Sequence, residues 1–195
     1  MVEHVRFTLT YQGPLRGSTA KVAQHKHEVR RALHPQLRAL WGYEPLRGIS
    51  DRWLRPVPYE FEGDDEVSAV REVAGQTFVV LVRSELKLVA ELDILLLRPE
   101  PPGNILQRAD IDNRLKVLFD ALRRPENAQE IPGGWVPSSD EQPLFCLLDD
   151  DRLITRVNVD TDRLLAAESD DNVALTIRVS LRASSPTWAS VGLLY

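Results

Sequence analysis

The chain of 195 residues is 43% hydrophobic and 27% charged, with a net charge of -5, which excludes a disordered or collagen-like polymer and fits a globular protein with one core. Its apolar runs, Phe78 to Val82 and Ile94 to Leu97 among them, are too short to span a bilayer, and Glu3, His4 and Arg6 leave no signal-peptide core at the amino terminus. With Cys146 as the only cysteine, an intrachain disulfide and a cysteine-based zinc site are excluded, and a cytoplasmic location is expected.

The charge is unevenly spread. Residues 1 to 58 hold 10 Lys+Arg against 4 Asp+Glu, whereas the remainder holds 14 against 25. A basic section beside an acidic one suits a nuclease, in which one surface tracks phosphates and carboxylates hold metal.

In chain order, Val5 to Tyr11 alternates with period two and stops at Gly13-Pro14, the pattern of a half-buried strand. From Ser18 to Leu40, the spacing of Val22, Val29, Leu33, Leu37 and Leu40 predicts a helix with a break at Pro35. His25-x-His27 falls on that helix, where the two side chains point apart, so a solvated face is expected there and not a metal pair. Residues 42 to 66 read as a long loop, in which, with Trp41 directly ahead, Tyr43, Trp53, Tyr59 and Phe61 interleave with Arg47, Arg52 and Arg55. Such a mixture can stack bases and meet phosphates, or it can form a small aromatic cluster under the loop.

Thr77 to Arg83 and Glu85 to Arg98 predict two core strands, joined as a hairpin. Ile111, Leu115, Leu118, Phe119 and Leu122 predict an amphipathic helix. The proline- and glycine-rich stretch 124 to 143 is a loop expected to move, without a phosphate-loop motif. Leu153 to Val159 and Val173 to Leu181 are further strands, and residues 183 to 195 form a tail. The expected class is α/β or α+β, one domain, with a mixed sheet flanked by helices.

The chemistry concentrates in Asp110-Ile111-Asp112-Asn113-Arg114-Leu115-Lys116. Acids at i and i+2 share a side only in extended chain, so Asp110 is expected just before the helix and Asp112 at its start. Asp112 and Lys116 are then one turn apart on the polar face. About 38 residues on, Asp149-Asp150-Asp151 precedes a β-rich stretch. A loop-to-helix acid pair plus one strand-end acid supplies a partial oxygen shell for hydrated Mg²⁺ or Mn²⁺, and a nearby lysine can meet charge on a phosphate. Asp160-x-Asp162 and Asp170-Asp171 are acid pairs without such a setting, and helix capping explains any isolated Asp-x-Asp as well.

Asp110-Ile111-Asp112-Asn113-x-x-Lys116-x-x-x-Asp120-Ala121-Leu122, followed by Asp149-Asp150 before a strand, resembles the RusA-like Holliday-junction resolvases over roughly residues 85 to 181. The resemblance implies an α/β homodimer that cuts four-way DNA junctions by paired, metal-dependent nicks. It assigns metal binding to Asp110, Asp112 and Asp150, and a catalytic role to Lys116. Where the family carries basic residues before the first acid, this chain has Gln107-Arg108-Ala109, so Arg108 joins Arg47, Arg52 and Arg55 as an expected nucleic-acid contact. The alternatives are a non-catalytic DNA-binding or interaction module of the same fold and a nuclease for flap or branched DNA, or for RNA.

Overall fold

Strand β4 (Leu88–Arg98) buries Leu88, Ala90, Leu92, Ile94 and Leu96 and turns Glu91, Asp93 and Leu95 outward. This is the period-two pattern of a sheet with one face on the core. In the computed structural model, which describes residues 5–17, 21–56, 68–100 and 110–185, its partners are β1 (Arg6–Pro14), β6 (Ile154–Arg163) and β7 (Asn172–Ala183). The four run in the order β1-β7-β4-β6, with β7 antiparallel to both neighbours and β6 parallel to β4.

A second mixed sheet joins β2 (Val70–Val73), β3 (Gln76–Val82) and β5 (Leu144–Leu148) in the order β2-β3-β5. Ala74 and Gly75, at φ 50° and 76°, turn β2 into β3, the left-handed geometry that two-residue hairpins require. The hairpin expected between residues 77–83 and 85–98 does not form. Phe78 to Val82 is buried on both faces while β4 alternates, so the two strands belong to different sheets. Between them the 3₁₀ turn Ser84–Leu86 and Lys87, at φ 52°, redirect the chain.

Helix α1 (Val22–Leu40) runs through Pro35 without the expected break. Leu33, His34 and Leu37 are buried on either side of the proline, and the His34 Nδ1 accepts the Phe145 N–H at 2.9 Å, which holds the helix on β5. The stretch expected as a loop from residue 42 to 66 contains helix α2 (Leu46–Trp53). Leu46 and Trp53, two turns apart, bury one side of it, and Trp53 packs edge-on against Trp41, which meets Phe145 in turn. Residues 57 to 67, with Tyr59 and Phe61, lie outside the described residues, as do 186 to 195 of the tail.

Helix α3 (Asp110–Leu122) buries Ile111, Val117, Leu118, Ala121 and Leu122, with Leu115 and Phe119 half-buried beside them. Arg30 of α1 ties down its far end. The buried guanidinium donates to the Asp120 carbonyl at 2.7 Å and the Arg123 carbonyl at 2.8 Å, oxygens that have no intrahelical donor. Lys26 meets the Asp120 carboxylate at 2.6 Å, and Arg123 bridges Asp120 and Glu130 at 3.1 and 2.9 Å. The expected loop at 124–143 is thereby anchored: Arg123 holds Glu130, Arg31 holds Glu141, and Trp135 lies edge-on to His27 at 4.3 Å. Trp135 and Ile131 also cover a small cluster of Val73, Phe78, Val80, Leu144 and Cys146. Among the described residues no helix is long and apolar enough to cross a membrane.

His25 and His27 are buried, not on the solvated face expected of them. His25 Nε2 accepts the Arg16 N–H at 3.0 Å, and His27 Nδ1 lies 3.2 Å from the Arg30 guanidinium. Burial first, and then the Arg30 charge, depress His27 from its ordinary 6.5 to about 4. The unfolded chain therefore binds a proton between pH 6.5 and about 4 that the folded chain refuses, so stability is lost as pH falls through that window. Calorimetric Tm values should drop across it, and His27→Gln should flatten the slope. His25 and His34, also depressed by burial, act in the same direction, as do Glu130 and Glu141, whose arginine partners hold them below the ordinary carboxylate range.

Candidate functional site

The helix that opens the acidic motif starts at Asp110 itself, so the expected placement of that residue ahead of the helix is corrected. Ile111 and Arg114 fix the rotation of the first turns, because both are buried while Asp112, Asn113 and Lys116 are exposed. Asp112 and Lys116 thus stand one turn apart on the open face, as neighbours on a helix surface. Asp120, the later acid of the motif, is buried and held by Lys26 and Arg123, which makes it a structural residue. The Asp110 side chain and the whole of Arg108 lie outside the described residues.

The acid triplet sits at the end of β5. Asp149 is half-buried between Arg124, which donates to it, and Arg71 at 3.7 Å, while its N–H donates to the Val82 carbonyl at 2.9 Å. Asp150 caps the 3₁₀ turn Asp151–Leu153, accepting the Arg152 N–H at 2.9 Å. The Arg152 side chain folds back on the same carboxylate, with Nε 3.0 Å from both oxygens and a terminal nitrogen at 2.5 Å. That guanidinium holds the Asp150 carboxyl down at about 2. Asp151 is exposed.

The two acidic groups lie at opposite ends of α3. Glu100, two residues beyond β4, sits 3.8 Å from Arg98 and 3.7 Å from Arg114, and so keeps the first turns of the helix near the Arg98 end of β4. The triplet arrives at the other end: the Arg124 N–H donates to the Leu148 carbonyl at 3.0 Å, Arg123 bridges to Leu148, and β6 starts opposite Ala90. Asp112 precedes Leu122 by ten residues, about 15 Å along a helix axis. The structure therefore brings Asp112 and Lys116 together with the helix start, but not with Asp150. Among the described residues no group of three His, Cys, Asp or Glu side chains is placed to hold a metal ion. Asp112 offers the hard oxygen that Mg²⁺ or Mn²⁺ prefers, whereas Asp150 would first have to give up Arg152.

Part of the basic section of residues 1 to 58 is tied up in ion pairs within the chain, although most of its cations stay at the surface. Arg30 is buried, Arg16 pairs with Asp171 at 2.7 Å, Lys26 with Asp120 at 2.6 Å, and Arg31 with Glu141. Trp41 and Trp53 are buried and closed to bases, and Arg83 stacks 4.6 Å over Trp53. Arg47, Arg52 and Arg55 are exposed on α2 and its exit, with Arg47 3.9 Å from Glu44 and the Arg55 Nε donating to the Asp51 carbonyl at 2.9 Å.

The residues that govern the triplet, Arg71, Arg124 and Arg152, escaped the sequence reading. Arg152 alone left a trace, since an acid followed two positions later by a backbone donor is a turn signal. Compared with protein families, with curated proteins and with solved structures, the chain matches none of them. One measurement checks the electrostatics at Asp150: in Arg152→Ala, carboxyl-carbon NMR titration should show its pKa rising from about 2 toward the ordinary 3.8.

Proposed function

We propose that this protein is a structure-selective, metal-dependent DNA endonuclease of the RusA-like type, acting as a homodimer on four-way junctions. The observation that carries the reading is the start of α3, where Asp110, Asp112 and Lys116 occupy two turns and the Asp112 and Lys116 side chains are open to solvent. Carboxylates there would hold Mg²⁺ or Mn²⁺, whose chemistry is to shield phosphate charge and acidify water. Lys116 would meet the phosphate oxygens that gather charge during displacement. The exposed arginines of α2 would track the backbone, and Arg108, directly ahead of the motif, belongs to the same proposal. Cytoplasmic residence belongs with this reading.

The distance of Asp150 from Asp112 favours a second reading, a non-catalytic module that binds DNA or a protein through the same surfaces. Cleavage separates the two. With labelled four-way junction, flap, duplex and single strand, the parent should cut the junction with Mg²⁺ and not with chelator. Asp110→Asn, Asp112→Asn and Lys116→Ala should each lower cleavage by at least ~10²-fold while binding survives. Asp150→Asn should do the same if the triplet joins the site, and Asp171→Asn, which faces Arg16, should cut like the parent. A parent that binds junctions but cuts none with either metal would establish the module.

Affinity gives an independent check. Neutralising Arg47, Arg52 and Arg55 together should weaken DNA binding and flatten its log-log salt dependence by up to about 0.9 per lost phosphate contact. An unchanged slope would leave α2 with a structural role only.

A further inference from the structure

The four-stranded sheet has two edges, β1 and β6, and they are treated differently. Unpaired N–H and C=O groups along an edge strand are a template for another chain, and folds usually block them. On β1 the block is a side chain of α1: Thr10 donates its N–H to Gln36 Oε1 at 2.9 Å, and Gln36 Nε2 donates to the Thr10 carbonyl at 2.7 Å. On β6, among the described residues, no side chain from elsewhere bonds the backbone between Arg156 and Thr161. Thr155, Arg156, Val157 and Asn158 are all exposed, and Val157 keeps 41% of its surface open.

The sequence of that edge is Thr155-Arg156-Val157-Asn158-Val159-Asp160-Thr161. It reads the same in both directions, except that Arg156 is answered by Asp160. Two copies laid antiparallel about a two-fold axis through Asn158 would set Val157 opposite Val159, Asn158 opposite itself, and Arg156 opposite Asp160 twice. Directly opposed side chains in an antiparallel pair have Cβ atoms about 4.5–5.5 Å apart, close enough for such pairs to stabilise the register. The register shift between Ala90 and Glu91 leaves Thr155 as an extra residue, so regular pairing begins at Arg156.

The charges of the sheet's open face lead to the same place. Arg182 lies 2.8 Å from Glu91, Glu91 lies 3.1 Å from Arg156, and Arg156 reaches Asp93 at 3.0 Å. Positive and negative charges therefore alternate from β7 through β4 to β6 and stop at Arg156, whose far side faces open solvent. Asp160, in register with Leu95, has no ion-pair partner among the described residues. Each strand thus presents, two residues either side of Asn158, an anion without an ion-pair partner among the described residues and a half-exposed arginine, already held by Glu91 and Asp93, whose network that anion of the other strand would extend.

We propose that β6 is the self-association surface of this protein, pairing antiparallel with β6 of a second copy in the register centred on Asn158 and joining two four-stranded sheets into one. Such an interface is isologous and closes at two copies. It gives a surface to the homodimer of the proposed function and does not depend on nuclease chemistry. Sedimentation of the full chain over a concentration series should approach twice the chain mass of 22.1 kDa. Asp160→Arg sets like charges opposite each other twice and should weaken the dimer about tenfold or more, and mixing it with Arg156→Asp should restore association, because the mixed pair matches at all positions. Asn158→Cys, a small change at an exposed site, should form a disulfide-linked dimer under mild oxidation. Val159→Cys, opposite Val157, should cross-link far less, and buried Cys146 should stay silent in both. A monomer at the highest concentration, or a dimer that ignores Asp160→Arg and gives no Asn158→Cys cross-link, would overturn the proposal. A cross-linked dimer that cuts no DNA would leave it standing and remove the nuclease reading alone.

Discussion

A buried guanidinium at the carboxyl end of a helix is the constraint around which this molecule is arranged. Burying Arg30 is costly, and burial lowers its pKa, so the charge is tolerated only where its donors are met. The carbonyls of Asp120 and Arg123 meet them, and they lie at the end of α3 where a positive charge also complements the helix dipole. From that junction the connections spread outward. Lys26 and Arg123 fix Asp120, Arg123 fixes Glu130 and with it the 124–143 segment, and Arg124 carries the chain to Leu148 and Asp149. Moving α3 along its axis would leave buried charges and carbonyls unmatched at once, which is why the helix has one position and its first turns one exposed face.

The same junction explains the distribution of charge. A positive first third and a negative remainder look, in one dimension, like a phosphate-binding surface joined to an acidic site. In three dimensions Arg16, Lys26 and Arg31 reach acids more than 90 positions away and cancel them. Net charge per segment describes a surface only after such pairs within the chain are removed, and here they remove part of the basic excess. The exposed arginines of α2, with Arg6 and Arg38 elsewhere on the surface, are among the cations still open to a polyanion.

How much was legible follows from how each element is buried. α3 and β7 show their periods openly, because each buries one face and exposes the other. β5 does not: Leu144 to Leu148 is buried on every side, too short for a helical period and without alternation to betray a strand. α2 was hidden by its composition, since the aromatics and arginines that suggest a binding loop are partly its core contacts. The Asp110 to Lys116 motif was visible as residues, and its exposed face follows from the buried positions around it. The position of Asp150 was not visible, because a separation of 38 residues does not say which end of α3 the returning strand reaches. That end is decided by Arg124 and Leu148, neither of which stands out in the chain.

Cys146 lies beneath Trp135 and Ile131, with its thiol pushed far above neutrality by complete burial. As the sole sulfhydryl of the chain, it is a built-in chemical clock for the segment above it. An alkylating reagent reaches the sulfur only when that segment lifts or the sheet beneath it opens, so the labelling rate reports the population of the open form, or the opening rate itself when alkylation outpaces reclosing. Any ligand that fastens the 124–143 segment would slow that clock without touching the sulfur.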